Sequence, residues 1–121
     1  MTDWRSKLEQ YEHNREFYTQ LDSARFADWC ITGRFYAAVN LVEAVLLKER
    51  GGLPVGHQER TLQVQTHTST KGIANAYISL KSLSERARYH VHYSKIAQED
   101  LGDAERWFTQ IEEQLSGCLK D

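Results

Sequence analysis

Between Ser84 and Ser94 the chain reads SERARYHVHYS, which puts two arginines, two histidines and two tyrosines within eleven residues. Histidine exchanges protons near neutral pH, with an unperturbed pKa of about 6.5. Arginine carries a permanent charge and a planar fork of donors that matches a phosphate. Metal-free cleavage of RNA needs these groups: a base for the 2′-OH proton, an acid for the 5′-oxygen, and positive charge on the pentavalent phosphate. DNA would resist such a site because it lacks the 2′-OH. From the residues alone the stretch is a catalytic cluster, a nucleic-acid contact, or the polar end of an ordinary helix; Arg86, Arg88, His90, His92 and Tyr93 are the groups to weigh.

Their spacing leaves two arrangements open. On an ideal helix Arg86 and His92 lie about 120° apart, whereas Arg86 with His90, and Arg88 with His92, are i,i+4 neighbours. A helix that ends near Tyr89 lets His92 fold back toward Arg86. A helix that runs on through Tyr93 makes two separate strips of solvated cations, favoured at a C-terminus by the helix dipole.

Other residues that could do chemistry are fewer. His57 and Arg60 open a short helix whose positive end could help hold an anion; equally, His57 could cap that helix or tether the preceding loop. Tyr36 and Asn40 fall on an apolar stripe. A tyrosine there reads as a core residue bonded through its hydroxyl. A buried amide needs partners, so Asn40 marks either a polar network or a dimer interface. His90-x-His92 with His57 or His67 does not make a structural-zinc set, so no metal site is expected. Cys30 on the apolar stripe reads as a small buried hydrophobe, and Cys118 falls in the last turn. GGLPVG lacks the lysine and the preceding strand of a phosphate loop, and no cofactor is implied.

The elements that must position these groups are helices. The chain has 121 residues, one proline and seven glycines, a length for one domain (1–121) with a real core. Trp4, Leu8, Tyr11, Tyr18 and Leu21 share one face of a helix over about Asp3 to Thr19. Asp22 and Ser23 are N-cap candidates for the next helix. There Phe26, Trp29, Cys30, Gly33, Tyr36, Ala37, Asn40, Leu41, Ala44 and Leu47 make a stripe so wide that this helix should be central or carry a subunit interface. Gly33 and Ala37 would let a neighbour approach closely, and Gly51-Gly52 should end the helix. A short helix follows over about His57 to Gln65, then one over Thr70 to Tyr89 with Ile73, Tyr77, Leu80, Leu83 or Ser84, and Ala87 inward. Leu101, Ala104, Phe108, Ile111, Leu115 and Leu119 define the last. The expectation is an all-α, up-and-down bundle of four to five helices.

Charge and targeting signals narrow the setting. The net charge is −2, with an excess of +4 over residues 71–95 and of −5 over 96–121, which suits a polyanion site, two helices paired by charge, or solvated faces of opposite sign. That balance argues against tight non-specific nucleic-acid binding by a monomer. No secretory signal or membrane-length apolar run is evident, and two cysteines are too few for a disulfide scaffold, so a cytoplasmic setting is expected.

Four segments in order, YEHNREFYTQL, DWCITGRFYAAVNLVEAVLLKERGG, LPVGHQER and AYISLKSLSERARYHVHYS, resemble the HEPN superfamily, in an uncharacterised branch. The resemblance runs from about Tyr11 to Phe108. It implies a HEPN-like four- to five-helix bundle that dimerises. It also implies a role on or beside RNA in a prokaryotic toxin–antitoxin or antiviral defence setting. Many members are metal-independent endoribonucleases with an Arg, four to six residues, then a His. Arg86 and His92 fit that spacing, so the resemblance implies them as the catalytic pair, with Arg88, His90, Tyr93, His57 and Arg60 as RNA or phosphate contacts, and in a dimer two such pairs could meet across the axis. Others are degenerate interaction modules that dimerise or dock on a nucleotidyltransferase or another defence-complex protein. Ala87, where active members commonly have a polar residue, and Tyr93, adjacent to His92 instead of two residues on, depart from the active pattern.

Overall fold

The computed structural model describes residues 3–89 and 98–120. Among them are five α-helices and no strand: α1 (Trp4–Thr19), α2 (Ala27–Arg50), α3 (Gly56–Thr66), α4 (Ala74–Tyr89) and α5 (Gln98–Ser116). A 3-10 turn at Lys71–Ile73 leads into α4, and another at Gly117–Leu119 ends α5. This is an all-α bundle.

Helix α2 is the centre, and its composition explains why. Ile31, Phe35, Leu41, Val42, Val45 and Leu46 are all at 1% exposure or less, on more than one face, so α1, α4 and α5 all pack against it. Burying a side chain of that size stabilises the fold by about 1.5–3 kcal/mol. By length and composition α2 could cross a membrane, but 83% of its most apolar window is buried inside the bundle, as befits a core helix. The inward residues expected of α4 and α5 (Ile73, Tyr77, Leu80, Leu83, Ser84 and Ala87; Leu101, Ala104, Phe108, Ile111, Leu115 and Leu119) are all buried. Tyr11 and Tyr18 of α1 meet Phe108 of α5, with ring centroids 6.4 Å and 5.9 Å apart.

The helix ends follow local chemistry. Asp3 caps α1, accepting from the Arg5 N–H at 3.3 Å. Asp22 does not cap α2. It folds a turn ahead of the helix, accepting from the Ala24 N–H on its carboxylate and from the Arg25 and Phe26 N–H groups on its carbonyl. The N-cap is Phe26, with no side-chain bond. Gly51 ends α2 in the left-handed conformation, φ 77°. Gly51→Ala is therefore expected to lower stability by about 1 kcal/mol, since only glycine adopts that conformation without a steric cost; urea unfolding followed by circular dichroism checks it.

Candidate functional site

One buried acid organises the candidate site. Glu43 lies midway along the apolar α2, with its side chain only 10% exposed. Its carboxylate takes the Arg60 guanidinium at 3.0 Å and the Lys7 ammonium at 3.2 Å. A carboxylate at that depth is tolerable because two cations offset its desolvation. The pairing draws α3 onto α2 and fixes Arg60, 9% exposed, so that its remaining Nη1 donates to His57 Nδ1 at 2.9 Å. A guanidinium only donates, so Nδ1 of His57 accepts and the proton of the neutral ring sits on Nε2. Burial, then the Arg60, Lys81 and Arg88 cations, hold the His57 imidazole below its usual pKa. The ring also stacks beside Phe35, with centroids 6.2 Å apart. His57 does not cap α3. The N-cap is Val55, with no side-chain cap bond, and Glu59 in the first turn reaches back to accept from the Val55 N–H at 2.7 Å.

On the other side of His57 is Arg88, near the end of α4 as described. Arg88 donates to the Tyr36 hydroxyl at 2.5 Å and to the Ser84 carbonyl at 3.3 Å. Its guanidinium lies near three rings, with Cζ 5.8 Å from the centroid of Phe35, 5.4 Å from Tyr36 and 5.2 Å from Tyr89. Because Arg88 is the donor, the Tyr36 oxygen accepts, and its own proton is left for another acceptor.

Two clefts meet at this Tyr36–Arg88 pair. The first, about 390 Å³, runs between α2 and α4 and is lined by Asp28, Trp29, Thr32, Tyr36, Ala87 and Arg88. The second, about 380 Å³, is lined by Tyr36, His57, Lys81, Glu85, Arg88 and Tyr89. Trp29 and Tyr36, seven residues apart and so on one helix face, are 52% and 40% exposed, and Tyr89 is 75% exposed. The first cleft thus offers ring faces with one carboxylate. The second offers two cations and a neutral imidazole against one carboxylate, Glu85, which holds Lys81 at 2.9 Å.

This arrangement regroups the residues marked out by the sequence. Arg88, His57 and Tyr36 come together, with Arg60 behind them. Tyr36 is not a core residue, as its place on the apolar stripe suggested; it stands at the lip of both clefts, and Trp29 likewise leaves the core. Arg86 goes elsewhere. Two residues along a helix is about 200° of rotation, so Arg86 reaches Asp100 of α5 at 2.9 Å while Arg88 reaches α2. Asn40 sits inside a polar network between α1 and α2, accepting from Asn14 at 2.7 Å and donating to Gln10 at 3.4 Å. Those bonds satisfy it within one chain. His90, His92 and Tyr93 lie outside the described residues. Sequence reasoning read Trp29 only as part of the apolar stripe and did not single out Lys81 or Glu43 for the site; the signal for Glu43 was present, a lone acid in an otherwise apolar stripe.

No family model, no curated protein and no solved structure matches this chain.

Proposed function

We propose that this chain is a HEPN-type helical domain that binds single-stranded RNA in the groove between α2 and α4. The observation that carries this reading is the Arg88 guanidinium, bonded to Tyr36 and lying among ring faces, with exposed Trp29 and Tyr89 on either side. Single-stranded nucleic acid is held in this way, by cations that follow the backbone and aromatic faces on which bases stack; each stacked base is worth about 1–3 kcal/mol. The HEPN assignment rests on the four ordered segments and is compatible with the five-helix, all-α bundle.

Titrating the protein with a fluorescently labelled single-stranded RNA, in EDTA and at fixed salt, tests the binding. Tyr36→Ala is expected to weaken it about tenfold, within the range for one lost stacking partner. A duplex of the same sequence should bind less well, because its bases are not free to stack. Equal affinity of the Tyr36→Ala and unaltered proteins would contradict the reading.

Within this reading, one observation favours an interaction module over an endoribonuclease: the Asp100 carboxylate already holds the Arg86 guanidinium. Gel analysis of the RNA from the same titrations separates the two. Intact RNA supports the module, and cleavage in EDTA that disappears in His92→Ala supports the endoribonuclease.

A further inference from the structure

We infer that the second cleft is a subsite for a terminal phosphomonoester, the 5′-phosphate of an RNA whose first base stacks in the neighbouring cleft. The inference rests on the RNA reading above and deepens it by naming the end of the strand that the protein holds.

The donor set carries the argument. Four groups from three helices converge on one cleft of about 380 Å³: the Tyr36 hydroxyl of α2, His57 of α3, and Lys81 and Arg88 of α4. Each has a donor to give. Arg88 has already bonded the Tyr36 oxygen, which leaves the phenolic proton for a ligand. Arg60 occupies Nδ1 of His57, so the imidazole presents Nε2–H without having to gain a proton. Lys81 is held beside the cleft by Glu85 rather than left to roam. The buried Glu43–Arg60 pair fixes the imidazole and adds no net charge of its own.

The charge and number of acceptors select the ligand. An internal phosphodiester offers two unbridged oxygens and a single negative charge. A phosphomonoester offers three and carries about −1.5 to −2 near neutral pH. Four convergent donors suit the monoester, and Lys81 and Arg88 outweigh Glu85. The two clefts share Tyr36 and Arg88 as a common wall. A phosphate bonded to Arg88 in one therefore leaves its attached nucleoside beside Tyr36, Trp29 and the Asp28 carboxylate in the other. The Asp28 carboxylate can accept there from a base N–H.

The test compares two single-stranded octamers of one sequence, bearing either a 5′-phosphate or a 5′-hydroxyl, with adenosine 5′-monophosphate as a third probe. Affinity and the His57 ring resonances are read together, on the full chain in EDTA. The expected result is about tenfold tighter binding of the phosphorylated octamer, one charge-assisted contact's worth, with a shift at His57 that the hydroxyl octamer does not produce. His57→Gln and Lys81→Met should each bring the ratio of the two octamers' affinities from about tenfold toward one, read within each variant, while circular dichroism shows the helical signal unchanged, which separates lost phosphate recognition from a damaged fold. If the monophosphate produces the same shift at comparable affinity, the phosphate comes from a free nucleotide; if only the octamer does, it comes from an RNA end. Binding of the two octamers with equal affinity, or a preference that survives both substitutions, overturns the subsite and leaves the RNA reading standing. Binding of neither octamer, with the monophosphate still shifting His57, overturns the RNA reading and keeps the subsite.

Discussion

Replacing Glu43 with alanine is expected to destabilise the protein by about 3–5 kcal/mol, the range for removing one partner of a buried ion pair. The substitution leaves Arg60, 9% exposed, and the partly covered Lys7 facing each other with no carboxylate between them. In a domain of this size such a loss lowers the thermal midpoint by on the order of 12–20 °C. The cost comes from stranded charge, not from lost volume, and a second variant separates the two. Glu43→Leu combined with Arg60→Leu removes the more deeply buried pair and keeps the space filled, leaving only Lys7, whose side chain is 19% exposed and can turn toward water. It should therefore recover most of the stability, as hydrophobic replacement of buried pairs often does. Urea unfolding of the two variants checks this. A loss below about 1 kcal/mol for Glu43→Ala would mean that water reaches the pair. The double variant carries a functional consequence as well: without Arg60, Nδ1 of His57 loses its donor and the imidazole is free to change tautomer. It should therefore fold yet discriminate poorly between phosphorylated and hydroxyl RNA ends.

The second large effect is expected at Gly33, where α1 crosses α2. A Cβ at this position would lie 2.9 Å from Cβ of Tyr18 and 3.2 Å from its ring. The nearest obstacle is thus the root of a side chain, 4% exposed, with no freedom to swing aside. Gly33→Val should cost about 2–3 kcal/mol, toward the upper end for forcing extra volume into a packed core, even though glycine is itself a poor helix former. Unfolding in urea measures the loss, and an unchanged or raised midpoint would show that α1 can slide away from α2. The effect bears on the site only through α1, whose Lys7 completes the charge set around Glu43.

The same two positions show how unevenly the sequence revealed this molecule. Periodicity was enough for the helices. Steps of three and four between Leu101 and Leu119 allow only one face, and all six residues on it are buried. The need for a small residue at Gly33 could also be inferred, because a glycine inside an apolar helix stripe implies close approach. What it approaches could not be read, since Tyr18 belongs to another helix. The site was harder. Arg86 and Arg88 look alike in the sequence and differ only in the side of α4 they occupy, a matter decided by where α2 and α5 lie. Trp29 and Tyr36 misled because an apolar stripe on a central helix implies burial. The neighbouring stretch of α4 presents Ala87 and Arg88 there, too little bulk to cover two rings. The join between His57 and Arg88 spans thirty-one residues and three elements, and no local pattern encodes it.

The claim on which the rest depends is that RNA is bound at Arg88 and not at Arg86. The most direct measurement is the affinity of Arg88→Ala and Arg86→Ala for the same single-stranded RNA at the same salt, with circular dichroism confirming that both remain helical. Arg88→Ala removes a cation, the bond to Tyr36 and the contact with three rings. It should weaken binding by at least about tenfold, as the loss of a charge-assisted contact together with stacking support predicts. Arg86→Ala breaks only an exposed ion pair with Asp100, and affinity should stay within about twofold. Loss of binding in Arg86→Ala, with Arg88→Ala unchanged, would contradict the account and move the site to the α4–α5 side of the bundle.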